Sequence, residues 1–239
     1  SGEYKLMGLA PYGSPIYEDK IKKLIDIKND GTFRLDQSFF NYATGLTMTN
    51  KKFEKLFGHK RRNPESERLN QFHMDIASSI QKITEEIILK LSKSICEEYK
   101  IKNLCLAGGV ALNCVANGKL LKENVFENIW IQPAAGDAGG SLGAALALWH
   151  LEEGKERNIN SQDSMKGSYL GVEYSQEQIL NHLNNLGAKF EVLEYDEIID
   201  KTAECLSNGD AVGWFQGKME FGPRALGNRS ILGDPRSEK

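Results

Sequence analysis

The chain has 239 residues, 40% of them hydrophobic and 26% charged, with a formal net charge of -3. That length fits one large globular domain or a domain and a half. The slight acidic excess disfavours non-specific nucleic-acid binding, and no apolar run approaches the roughly 18 residues of a membrane span. The start, Ser1-Gly-Glu-Tyr-Lys-Leu-Met, lacks the basic and apolar regions of a signal peptide. Four scattered cysteines (Cys96, Cys105, Cys114, Cys205) form no CxxC pair, so reduced thiols in a cytoplasmic protein are expected.

Residues 1–65 show little periodicity. The segment from Leu6 to Gly13 reads as turn-rich, Tyr17 to Ile27 as a short helix and Gly31 to Leu35 as a strand. Lys60-Arg-Arg-Asn-Pro64 reads as a solvated basic loop. From Arg68 to Tyr99 the residues Ile76, Ile80, Ile83, Ile87, Leu91 and Ile95 recur at three- and four-residue steps. That is the stripe of a core-packing helix, with His73 at its surface or capping its start. The same helix is a candidate for pairing with a second copy.

Asn103 to Ala107 then reads as a buried strand, followed by Gly108-Gly109 and a helix from Ala111 to Leu121. Ile129-Trp-Ile131 is the next strand. It leads into Gly136-Asp-Ala-Gly-Gly140 and a helix from Ser141 to about Leu151. Strand, glycine loop and helix in two successive rounds indicate an α/β fold. Residues 152–167 are polar and form the linker candidate. Beyond them, Tyr169–Gly171, Phe190–Tyr195 and Ala211–Phe215 read as strands. Ser175–Leu186, with Ser175 as N-cap and Gln178 three residues on, and Ile198–Leu206 read as helices.

Gly108 and Gly109 stand just ahead of a helix N-terminus, where backbone N–H groups and the helix dipole favour a phosphate. Asn113 is placed to hydrogen-bond a phosphate or ribose. Gly136, Gly139 and Gly140 repeat the device around Asp137, whose carboxylate suits a helix cap, a divalent cation or a ribose. Neither loop has the spacing of a Walker loop or a dinucleotide fingerprint. The stretch Gln216–Ser230 packs Lys218, Arg224 and Arg229 among Gly217, Gly222, Pro223 and Gly227. Forked arginine donors on a glycine-bearing loop suit phosphate or carboxylate; the plainer alternative is a solvated turn.

Four stretches together carry a resemblance: Gly2–Gly13, Leu106–Asn113, Gly136–Gly140 and Met219–Ser230. They look like motifs of the O-carbamoyltransferases of antibiotic and nodulation-factor biosynthesis, in the same order. The resemblance implies a first domain (1–155) that is the C-terminal part of an actin/Hsp70-like (ASKHA) ATPase fold. It implies a second (168–239) that is the start of a carbamoyl-adenylate-forming, YrdC-like α/β domain. In that scheme the second domain joins carbamoyl phosphate to ATP, giving carbamoyl adenylate and pyrophosphate. The first passes the carbamoyl group to a hydroxyl-bearing acceptor, a small molecule or glycoside, releasing AMP.

Carried onto these residues, the resemblance implies that Arg224, Arg229 and Lys218 hold carbamoyl phosphate or ATP phosphates. Gly108, Gly109 and Asn113 cradle the nucleotide, with Glu3 and Lys5 of the first motif nearby. Asp137 is a ligand to an iron-type divalent cation. The family's other metal ligands form a His-x-x-x-His motif. Here His59, His73, His150 and His182 offer no such spacing, so the chain reads as an internal fragment that is inactive by itself. Two alternatives share the glycine loops: a sugar- or acetate-kinase-like ATPase, and a non-catalytic nucleotide-binding module.

Overall fold

A computed structural model describes residues 2–159 and 162–237. The chain divides into two compact units, residues 1–132 and 133–239.

The first unit is organised by one long helix. Its elements are α1 (Glu3–Leu9), α2 (Glu18–Ile21), β1 (Ile25–Ile27), β2 (Phe33–Leu35), α3 (Lys51–Phe57), α4 (Gln71–Tyr99), β3 (Asn103–Leu106), α5 (Cys114–Lys122) and β4 (Asn128–Ile131). At 1.5 Å per residue the 29 residues of α4 extend about 43 Å. The Asn70 side chain accepts from the His73 backbone N–H, and the His73 ring accepts from the Asn70 N–H at 3.2 Å, so His73 caps the helix as its position suggests. The isoleucine stripe is covered inside the unit over its first half, whereas Ile95 is 45% exposed. Ile83 is buried with Ile21, Leu24 and Phe57, and Ile76, Ile80 and Ile87 pack against that cluster. A second cluster joins Cys96, Leu120 and Phe126, with Leu104, Leu106 and Ile129 resting on it. Self-pairing through α4 would therefore compete with the core the stripe already makes.

The segment expected to be turn-rich is helical: α1 runs directly into a 3-10 turn over Ala10–Tyr12. Pro11 does not break it, because the first turn of a helix needs no N–H from that position. This segment is pinned to α4. The Asp75 carboxylate accepts the Ser14 N–H at 2.8 Å, and the Ser79 hydroxyl accepts the Tyr17 N–H at 3.0 Å. A Cβ on Gly13 would sit 2.1 Å from the Met74 carbonyl oxygen, so only glycine fits.

The helix expected to reach Ile27 stops at Ile21, and Ile25–Ile27 pairs antiparallel with β2. The β-branched Ile25 and Ile27 favour the strand. Helix α3, closed by Gly58 in the left-handed region, was not foreseen. Strands β3 and β4 pair in parallel with Asn103 opposite Asn128. Each buries only one side in part, leaving Cys105 and Trp130 exposed, so β3 is not the fully covered strand its composition suggests.

The second unit contains α6 (Asp137–Ala147), α7 (Gln176–Asn185), α8 (Tyr195–Ser207), β5 (Val212–Phe215) and β6 (Arg229–Leu232). Helix α6 begins four residues before the expected Ser141, so its glycines form the first turn rather than a loop ahead of it. The capping box of Ser175 and Gln178 is present as read. Helix α8 starts three residues early, at a Glu194–Glu197 capping box. The strands expected at 169–171 and 190–195 do not form. Residues 190–194 have no ladder partner among the described residues, and the segment 168–172 meets the arginine loop through separate backbone bonds that form no ladder: Gly171 N–H to Met219 O at 2.8 Å, Met219 N–H to Val172 O at 2.9 Å and Phe221 N–H to Ser168 O at 2.7 Å. Strand β5 is present and pairs antiparallel with β6, which lies inside the stretch read as loop. Val212 and Trp214 are half-buried, whereas Phe215 is half exposed.

Candidate functional site

In the first unit, β3 delivers the chain to Gly108, whose φ of +101° is accessible to glycine and costly for other residues. A 3-10 turn over Gly109–Leu112 follows, and Asn113 caps α5. The Asn113 amide is engaged at both ends. Its Oδ1 accepts from the Ala116 N–H at 3.1 Å and from Gln81 Nε2 at 3.1 Å, and its Nδ2 donates to Gln81 Oε1 at 2.9 Å. Gln81 Nε2 also donates to Glu85 Oε1 at 2.8 Å, and Glu85 pairs with Lys119. Gln81 and Glu85 are both buried. The glycine turn thus rests on a polar network from α4 that links Glu85, Gln81 and Asn113. A further bond, from Asn117 Nδ2 to the Ala111 carbonyl at 2.7 Å, fixes the turn from the α5 side.

Glu3 reaches this turn: its Oε1 lies 3.3 Å from where a Cβ on Gly109 would stand. Lys5, two residues on and therefore about 200° around the helix, instead lines a cavity with Leu6 and Leu9. The structure brings Glu3, Gly108, Gly109 and Asn113 together, with Lys5 turned to the other side of α1.

In the second unit the basic stretch is a built loop rather than a solvated turn. Its centre is Glu220, 2% exposed. Glu220 Oε1 accepts the N–H groups of Leu226 at 2.7 Å and Asn228 at 2.8 Å, closing the loop from inside. Glu220 Oε2 faces Arg229 Nε at 3.4 Å, an ion pair whose geometry falls short of a hydrogen bond. Burial pushes the Glu220 carboxyl up, but the N–H groups of Asn228 and Leu226 and the Arg229 guanidinium outweigh it and hold the carboxyl below the ordinary glutamate value. Arg229 Nη2 donates to the Gly222 carbonyl, and Asn228 Nδ2 to the Lys218 carbonyl at 2.7 Å.

Gly222, at φ +128°, lies against the peptide leading into α6: a Cβ there would stand 2.7 Å from Pro133 O. Gly139, in the first turn of α6, approaches Ala134 O so closely that a Cβ would stand 2.0 Å away. The Asp137 turn and the arginine loop both lie in residues 133–239 and have the Pro133–Ala134 peptide as a neighbour. Asp137 is the first residue of α6, where the helix dipole favours its charge, and Gly136 is the N-cap without a side-chain bond. Arg224 is partly buried and Lys218 exposed. A cavity of about 660 Å³ beside the loop is lined by Trp214, Phe215, Pro223, Arg229 and Ser230.

Among the described residues no three His, Cys, Asp or Glu side chains converge as a metal site. One carboxylate, Asp137, is too few donors for an iron-type cation, so the residues present do not by themselves fit that group.

Residues 1–146 match the family model for the carbamoyltransferase N-terminus, and residues 203–239 match that for the carbamoyltransferase C-terminus. The chain belongs to the carbamoyltransferase family. It is 59% identical over 99% of its length to an uncharacterized protein of Synechocystis sp., covering 39% of that protein. It is 37% identical over 98% of its length to nodulation protein NolNO of Sinorhizobium fredii, covering 32% of it. To nodulation protein NolO of Bradyrhizobium diazoefficiens it is 36% identical over 98% of its length, covering 40% of that chain. The chain thus spans about a third to two-fifths of the length of these relatives. Among its described residues no helix is long and apolar enough to cross a membrane.

Two groups escaped the sequence reading. Gln81 and Glu85, four residues apart, were hidden inside a helix read for its isoleucines. Glu220 stands inside the Met219–Ser230 stretch, where the arginines draw the attention. The signal for each was a polar side chain in an otherwise apolar or cationic run.

Proposed function

We propose that this carbamoyltransferase chain is part of an ATP-dependent O-carbamoyltransferase, and that the arginine loop holds phosphate groups during activation of the carbamoyl donor. One observation carries the reading: a buried carboxylate closes the loop, and Gly222 lays it against the peptide entering α6. That contact lays the loop bearing Arg224 and Arg229 against the peptide leading into an 11-residue helix whose N-cap uses no side chain. Helix N-terminal N–H groups and guanidinium donors both stabilise phosphate oxygens. Arg229 shapes the loop with Nη2 and Nε; Arg224 is assigned to the phosphate, and Lys218 adds a point charge.

The chemistry balances as follows. Cleavage of carbamoyl phosphate by water gives inorganic phosphate and carbamate. A carbamate oxygen attacks the α-phosphorus of ATP, forming carbamoyl adenylate and releasing pyrophosphate. The acceptor hydroxyl then attacks the carbamoyl carbon, its proton leaves, and AMP departs. Gly108, Gly109 and Glu3 are assigned to the nucleotide in the first unit, with Asn113 and Gln81 holding the turn in shape. A mixed anhydride hydrolyses in water, so the reaction calls for a site that excludes solvent.

The test is exchange of labelled pyrophosphate into ATP by the complete protein. The proposal expects exchange only when carbamoyl phosphate is present. Phosphorylation of an added sugar without such exchange would support the kinase alternative instead.

A further inference from the structure

The basic run Lys60-Arg61-Arg62 is the loop read from the sequence, with Lys60 and Arg61 exposed, and it also rims a cavity of about 600 Å³ in the first unit. The interior of that cavity is apolar, formed by Leu9, Phe53, Phe57, Phe72 and Ile76. His59 stacks on Phe72 with ring centroids 4.1 Å apart and planes 12° from parallel, giving one flat aromatic wall. Lys5 from α1 joins the rim. Among the described residues none of Lys5, Lys60, Arg61 and Arg62 has a carboxylate within ion-pair distance.

The carboxylate lining the cavity, Glu54, accepts the Arg61 backbone N–H at 3.0 Å and leaves the rim cationic. His73, also in the lining, is held below the ordinary histidine value, by burial first and then by the neighbouring His59 ring and Arg62 guanidinium. Arg62 Nη1 donates to the Glu67 carbonyl at 2.6 Å, and among the described residues Lys5, Lys60 and Arg61 have no carboxylate in ion-pair reach; water alone gains little by filling a greasy pocket of this size.

We propose that this cavity binds an amphipathic anion, a flat apolar body seated on the His59–Phe72 wall with its acid group held by Lys5 and Arg61 at the rim. The site is separate from the glycine turn: Lys5 and Glu3 point to opposite sides of α1, so one helix carries a residue toward each. The proposal stands independently of the carbamoyl chemistry.

The experiment uses the 239-residue chain and three probes: 2-naphthoate, its uncharged amide, and inorganic phosphate. Titration calorimetry gives the affinities, and the His59 and His73 ring resonances report the location. The amphipathic-anion site predicts that naphthoate binds about tenfold or more tightly than the amide, as a charge-assisted contact requires. It also predicts movement of both histidine resonances and no competition from phosphate. Lys5→Gln and Arg61→Gln should each shrink the preference for naphthoate while leaving amide binding unchanged; the Lys5 ammonium lies 5.8 Å from the ring of its neighbour Tyr4. Equal affinity for acid and amide, absence of naphthoate binding, or equal binding of phosphate would each overturn it.

Discussion

Glu220 is the residue on which the arginine loop depends most, and its removal can be worked through from the contacts. In Glu220→Ala the N–H groups of Leu226 and Asn228 lose their acceptor, and Arg229 loses its buried partner. A buried donor left unsatisfied costs about 1–3 kcal/mol, and breaking a buried ion pair about 3–5 kcal/mol. The two estimates overlap because one carboxylate makes all three contacts, and Arg229 keeps its bond to Gly222. A loss of about 3 kcal/mol is the working figure.

Glu220→Gln keeps a carbonyl acceptor for both N–H groups and removes only the charge, so about 1 kcal/mol is expected. Native-state hydrogen exchange at the Leu226 and Asn228 amides reads this locally. Exchange should accelerate by about 100-fold in the alanine variant and about fivefold in the glutamine variant, at 1.4 kcal/mol per factor of ten. Unchanged exchange in Glu220→Ala, or equal effects of the two substitutions, would refute the reasoning. The pH dependence has a fixed sign. The folded carboxyl titrates below its unfolded value, so its contribution is complete above about pH 4.3 and is lost as the pH falls through the folded value.

Gly108→Ala places a side chain at φ +101° and should cost about 1–2 kcal/mol in urea unfolding, whereas Gly109→Ala meets only the movable end of Glu3 at 3.3 Å and should cost under about 0.5 kcal/mol. Gln81→Ala should destabilise the first unit by about 1–3 kcal/mol, because Asn113 and Glu85 both lose a partner; thermal melts of Gln81→Ala and Gln81→Glu compare removal with a change of charge. Asp75→Ala should free the Ser14 N–H and loosen the segment after α1. Proteolysis near Ser14 that is faster than in the parent protein is the expected readout.

The legible parts of the molecule were those written in local patterns. The isoleucine spacing marked α4, the Ser175–Gln178 pair marked the start of α7, and the two strand–glycine–helix rounds marked β3 and β4. The illegible parts depend on partners distant in the chain. Leu6–Gly13 looked turn-rich because of its glycines and Pro11, yet Asp75 and Ser79, more than 60 residues away, hold the following backbone. The strand expected at 190–195 had suitable residues but no ladder partner among those described. The candidate site was legible as a list of glycines and arginines. Its construction was not, because burial of Glu220, Gln81 and Glu85 follows from tertiary packing and not from the residues on either side.

The central claim, that the arginine loop serves activation of the carbamoyl donor, is tested most directly by splitting the half-reactions in Arg224→Ala of the complete protein. Pyrophosphate exchange dependent on carbamoyl phosphate should disappear, and Arg224→Lys should restore little of it if the contact is forked. Transfer from supplied carbamoyl adenylate to an acceptor hydroxyl should remain near the parent rate. Equal loss of both half-reactions, or exchange that persists without Arg224, would contradict the account.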